Sequence, residues 1–148
     1  MKTLFDWPPL WLCLCLALAY GLRQPNPWPV IGGIQGGLGI GLVVLGLLLM
    51  VLAVWEMARA RTTVIPRQSP KALVTSGIFR LTRNPIYLGD AMVLLGAILW
   101  WRAALALPLV PAFMLVIHWR FIRGEETALK SAFPDSFAAW AAQVRRWI

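Results

Sequence analysis

No charged residue stands between Arg23 and Glu56. From Val30 onward that stretch is an apolar run long enough for a membrane span of ~20 residues. In lipid every backbone N–H and C=O must be satisfied inside the segment, so such a run can cross only as a helix. The whole chain has 148 residues, 59% hydrophobic and 14% charged. Soluble domains carry about a quarter charged residues, and one this small cannot hide so much apolar surface inside itself. The surplus must face lipid. The sequence therefore predicts an all-α, polytopic membrane helix bundle of about four transmembrane helices, one domain over residues 1–148.

Four apolar segments carry that expectation. The first runs from about Trp7 to Leu22, with Asp6 as its cap and Pro8-Pro9 tolerated in a first turn. Prolines follow it instead of a small-residue cleavage site, so it reads as a retained helix and not a signal peptide. The second, about Val30 to Met57, is glycine-rich. Gly33, Gly37 and Gly41 fall on one helix face at the small-residue spacing that lets backbones approach in lipid. That face is expected to pack against the first segment or to serve a homodimer. A phosphate-cradling loop would need a preceding strand, and none is expected. The third segment runs from about Ile86 to Trp101. The fourth runs from about Ala103 to Phe121, bent by Pro108 and Pro111. The turn between them is so tight that they form a helical hairpin.

Basic residues set the orientation. Twelve of the fourteen Lys and Arg lie at the N-terminus, in the 58–85 connection, or from Arg120 to the end; only Arg23 and Arg102 lie opposite. Cytosolic loops carry such an excess, which places both termini in the cytosol of a bacterial-type inner membrane. A net charge of +8 clustered beside apolar segments suits anionic lipid headgroups and not nucleic acid. Cys13 and Cys15 point to different helix faces, so neither a disulfide nor a metal pair is expected. The tail is amphipathic: Phe133, Phe137, Trp140, Val144 and Trp147 recur at i, i+4, i+7, i+11 and i+14. Asp135 can cap its second half. The tail is expected to lie on the membrane surface or fold back over the core. Val74, Ile78 and Phe79 of the connection are expected to dip into that surface.

Two polar clusters stand at the cytosolic ends of the hairpin. The first holds Arg80, Arg83, Asn84, Tyr87 and Asp90. Pro85 disfavours a helical Asn84 and suits a helix start. Tyr87 and Asp90 then share a face. Asp90 either anchors the helix through Arg80 or Arg83, or serves a site directly, because a carboxylate at that depth needs a partner or a wet cavity. The second cluster holds His118, Arg120, Arg123, Glu125 and Glu126, with His118, Ile122, Glu125 and Leu129 on one helical face. Alone, such a His is more often an interfacial hydrogen-bonding residue, and the Glu pair a solvated one. Together the clusters suit a zwitterion bearing a diol: an Arg for its carboxylate, an aromatic face for its cation, Glu for its hydroxyls.

The stretch Leu73-Val-Thr-Ser-Gly77-Ile-Phe-Arg80-Leu-Thr-Arg83-Asn84-Pro85-Ile-Tyr87-Leu-Gly89 resembles the first signature of the isoprenylcysteine carboxyl methyltransferase and phospholipid methyltransferase superfamily. His118, Glu125-Glu126, Leu129, Phe133, Phe137, Trp140 and Val144-Arg145 resemble its second. The likeness spans about residues 56–146. Asn84 stands where many members have His, Pro134 replaces a common Gly, and Trp140 a common Tyr. The resemblance implies an integral membrane methyltransferase that uses S-adenosylmethionine and binds no metal. Cofactor contacts are then expected from Gly77, Arg83, Asn84, Pro85, Tyr87, Leu88, His118, Glu125 and Glu126. Arg80, Arg83 and Asn84 are the residues expected nearest the chemistry. A lipophilic small molecule or lipid would be the substrate, accepting the methyl on a carboxylate or thiol. The alternatives are a phospholipid or amine N-methyltransferase and a non-catalytic scaffold of the same fold.

Overall fold

The computed structural model describes residues 6–23, 34–62 and 70–148. Lys2, Gly32, Gly33, Arg67 and the proline-rich turn at 24–29 lie outside the described residues. Among the described residues there is no strand. Six α-helices follow in order: α1 (Pro8–Gly21), α2 (Ile34–Arg59), α3 (Pro85–Trp100), α4 (Leu109–Ile117), α5 (Arg123–Ala132) and α6 (Pro134–Gln143). A 3-10 turn, Gly77–Arg80, precedes α3, and another, Ala104–Ala106, precedes α4. A π-helical turn, His118–Ile122, joins α4 to α5, so the helix from Ala104 to Ala132 is continuous.

Helix α2 and the continuous helix are long and apolar enough to cross a membrane, at 26 and 29 residues. Helices α1 and α3 are apolar but shorter, at 14 and 16 residues. By length, then, two of the four expected spans stand without further argument. The outer side of α2 is apolar and exposed, including Val44, Leu47, Leu48 and Val51.

Helix α2 packs antiparallel along α3, and glycines decide how close. A Cβ on Gly39 would meet the Gly96 carbonyl oxygen at 2.7 Å, and one on Gly46 the Gly89 oxygen at 2.6 Å. Only an absent side chain allows that approach. The repeat is seven residues: Gly39, Gly46 and Ala53 are the buried positions of α2, and Gly89 and Gly96 answer on α3. The expected four-residue face is not the seam, because Gly37 and Gly41 have open space where a Cβ would stand. Both spacings return to nearly the same side of a helix, but a seven-residue repeat keeps the seam facing its partner over several turns.

Helices α1 and α4 pack on α3 as well, while α1 makes hardly any contact with α2. The core here joins Ala91, Leu94 and Ile98 to Phe113, Ile117 and Phe121, with Leu12, Cys15 and Leu16 against it. At one end the rings of Tyr20 and Trp101 meet edge to face, 5.3 Å apart. At the other, Arg120 reaches Asp6 at 3.3 Å. Asp6 therefore does not cap α1, whose N-cap is Trp7 without a side-chain bond. Asp135 likewise sits inside the first turn of α6, whose N-cap is Phe133.

The tail folds back. Phe137, Trp140 and Val144 are buried against Ala53, Val74 and Phe79 in a second core. Val74 and Phe79 thus meet the tail instead of the membrane surface. The stripe wins because six apolar side chains burying one another exclude more water than two side chains at an interface. Trp140 Nε1–H also donates to the Phe79 carbonyl at 3.0 Å.

Candidate active site

Pro85 occupies the first position of α3, where a missing N–H is harmless. Asn84 before it is neither helical nor extended, at φ −131° and ψ 62°. The chain therefore turns sharply at Thr82–Asn84, and the tail seals that turn. Arg83 N–H donates to the Arg145 carbonyl at 3.0 Å. The Arg146 carbonyl accepts from Asn84 Nδ2 at 2.9 Å and from Thr82 Oγ1 at 3.3 Å. Thr82 Oγ1 in turn accepts the Asn84 N–H at 3.2 Å. Asn84 spends its amide on the tail.

The two polar clusters meet through Tyr87 and Glu125: the phenol donates to Glu125 Oε1 at 2.7 Å. Glu126 receives the Arg146 guanidinium in a bidentate grip, Nε at 2.9 Å and Nη2 at 2.6 Å. Arg83 Nη1 joins at 3.4 Å. The Glu126 carboxylate beside it raises the Arg146 pKa above its ordinary value. Glu126 thus holds two cations, Arg83 and Arg146. Arg83 Nε is buried with no protein partner.

These groups border a cavity of about 950 Å³. Arg83, Asn84, Pro85, Tyr87, Asp90, Glu125 and Glu126 line it. So do apolar residues from other elements: Trp7, Pro8 and Pro9 of the α1 start, Met50 and Met57 of α2, and Phe137 and Trp140 of α6. Asp90 is 4% exposed. Among the described residues its carboxylate makes no ion pair; of its two expected partners, Arg83 is held by Glu126 and Arg80 is exposed.

Four expected site residues do not line the cavity. Arg80 is exposed at the end of its turn and lies off the cavity lining. Gly77 has φ +55°, and a Cβ there would run into the Glu56 carboxylate, which accepts the Ser76 hydroxyl at 2.7 Å. Its role is to make the turn. Leu88 is half-buried and does not line the cavity. His118, at the start of the π-helical turn, does not line the cavity, although Arg146, Glu126 and Arg123 are near enough to act on its charge. Its ring instead stacks edge-on against Trp119, 5.5 Å away.

Arg146, Thr82 and the α1 and α2 wall residues join the site without a signal in the sequence. The resemblance names Arg145, yet Arg146 is the one that grips Glu126, while Arg145 gives its carbonyl to the Arg83 N–H.

A family model described as phospholipid methyltransferase matches residues 34–136. The chain is also 40% identical over 63 residues to an uncharacterized protein of Haemophilus influenzae, covering 43% of this chain and the whole of that protein. The family is one of membrane methyltransferases. Both signatures, the Tyr87–Glu125 link between them and the model match agree: the chain belongs to the phospholipid methyltransferase family, in the superfamily shared with isoprenylcysteine carboxyl methyltransferases.

Proposed function

We propose that this protein is an S-adenosylmethionine-dependent methyltransferase that modifies a lipophilic acceptor reaching it from the bilayer. The Tyr87–Glu125 bond carries the reading, because it makes one cavity of two sequence clusters. The lining suits the cofactor. Glu125 and Asp90 supply carboxylate oxygens for hydroxyls or a cation, and Arg83 has a buried donor to spare for a carboxylate. Sites for ligands of this size run to about 300–1,000 Å³, and the cavity lies near the top of that range. It leaves space for part of an acceptor.

S-Adenosylmethionine, when bound, supplies a sulfonium methyl whose transfer is an in-line displacement with a neutral thioether as leaving group. The protein then has no leaving group to protonate. Its work is alignment and exclusion of water. Tyr87 fixes Glu125, Arg146 fixes Glu126, and Glu126 fixes Arg83, so the polar wall is preorganised. The apolar wall keeps bulk water from the acceptor.

A carboxylate or thiolate acceptor would sit near Arg83. A second reading has its own observation: Asp90 is a buried carboxylate on the lining with no ion partner among the described residues. It suits an amine acceptor, as in N-methylation. We further propose four spans with both termini cytosolic. Helix α3, 16 residues long, extends only ~24 Å against a ~30 Å hydrocarbon core. Local thinning of the bilayer or the Trp100-Trp101 belt would make up the difference.

The test is direct binding of S-adenosylmethionine to the purified protein in detergent, followed by labelled methyl transfer into a total lipid extract. Saturable binding with label in an extractable product is expected. Absence of saturable binding would favour a silent scaffold of the same fold.

A further inference from the structure

The family match begins at residue 34, yet the cavity takes part of its wall from residues before it. Trp7, Pro8 and Pro9 form the first turn of α1 and its cap. The first turn of a helix normally presents free N–H groups. Here two prolines remove the donors at the first two positions. Neither proline of this wall offers a ligand a backbone N–H. Met50 and Met57 contribute from α2, which barely touches α1. The cavity therefore reaches into the gap between α1 and α2, and the exposed flank of α2 beside that gap is apolar. The charged groups of the lining all come from α3, α5 and the residues just before α3.

One device fixes where this wall stands. Arg120, just beyond α4, holds Asp6 at 3.3 Å and lies 5.7 Å over the Trp11 ring. The Arg120 side chain is 42% exposed, so the tie is of the modest kind that surface pairs provide.

We propose that the N-terminal turn of α1 is the acceptor-selecting wall. It receives the hydrocarbon part of a single-chain lipophile in the α1–α2 gap, and the Asp6–Arg120 pair positions it. The word acceptor rests on the methyltransferase reading; the hydrocarbon site does not.

The experiment uses the full chain in phosphatidylcholine nanodiscs and a palmitic acid bearing a diazirine near its methyl end. After illumination, labelled residues are mapped by mass spectrometry. Labelling is expected within Trp7–Pro9 and at Met50 or Met57, and unlabelled palmitic acid displaces it. Arg120→Gln is expected to weaken that displacement about threefold, as loss of an exposed ion pair would, with S-adenosylmethionine affinity unchanged. Label that excess palmitic acid does not displace, or displaceable label confined to the outer α2 residues Val44 and Val51, would overturn the proposal. Displaceable label at the wall in a protein that binds no S-adenosylmethionine would uphold the hydrocarbon site and sink the methyltransferase reading alone.

Discussion

Tyr87 and Glu125 are 38 residues apart in sequence and 2.7 Å apart in space. Tyr87 is 6% exposed, so the bond is shielded from water on most sides. Removing the phenol leaves a largely buried carboxylate short of a donor. A hydrogen bond to a charged group contributes ~1.5–3 kcal/mol. Tyr87→Phe should therefore weaken S-adenosylmethionine binding by roughly ten- to a hundredfold if Glu125 contacts the ligand. Calorimetry on Tyr87→Phe, Glu125→Gln and the double variant would show non-additive losses. Additive losses would mean that the two residues act separately.

Arg146 acts through Glu126. Arg146→Ala frees Glu126 to swing and leaves Arg83 to face it alone. The expected outcome is reduced ligand affinity with a small fall in thermal midpoint, since the Arg146 side chain is 38% exposed and exposed pairs contribute little to stability. Lys at the same position restores charge but not the bidentate grip, so it should rescue only in part. Equal behaviour of the Lys and Ala variants would show that the paired geometry matters; full rescue by Lys would show that charge alone does.

The glycine seam predicts a sharp asymmetry along α2. Gly46→Ala forces a methyl against the Gly89 carbonyl, and Gly89→Ala does the reverse. Overpacking of this kind costs ~1–3 kcal/mol. Gly41→Ala meets open space and removes a weak helix former, a gain of about 0.8–1 kcal/mol in ordinary helices. Thermal unfolding in detergent should therefore rank Gly46→Ala below wild type and Gly41→Ala at or above it. Should the open Gly37–Gly41 face serve a homodimer, Gly41→Ala would change the oligomeric mass and not the midpoint of the monomer.

Asp90 separates the acceptor classes. Asp90→Asn keeps the shape and removes the charge. With an amine acceptor, methyl transfer should fall by orders of magnitude while S-adenosylmethionine affinity holds. With a carboxylate or thiol acceptor, transfer should be retained. Activity measured on each labelled product class decides between them.

Trp140 tests the tail as a structural clamp. Trp140→Phe keeps the ring in the second core but orphans the Phe79 carbonyl. An unsatisfied buried acceptor costs about 1–3 kcal/mol. A lowered midpoint is expected, with faster proteolysis after residue 132; an unchanged midpoint would show that the tail is held by packing alone.

The long uncharged run before Glu56, the prolines at helix starts and the aromatic stripe of the tail are local facts. They determined that the chain is helical, where α1 and α3 begin and end and where α2 ends to within a few residues, and that the tail has an apolar face. The two polar clusters were legible because their residue types are expensive beside lipid. What the tertiary structure decided are matters of register and proximity. A four-residue and a seven-residue glycine repeat look alike on one helix, and only the partner α3 selects Gly39 and Gly46. A π-helical turn interrupts the helix at His118–Ile122, and no pattern of side chains announces a turn that differs by one hydrogen bond. Arg146 and Arg145 differ only in which side of a folded-back tail they occupy. Trp7, Pro8 and Pro9 become a cavity wall because α1 and α2 stand apart. Contacts between distant segments depend on how helices seat against one another, and periodicity along a single helix does not encode that.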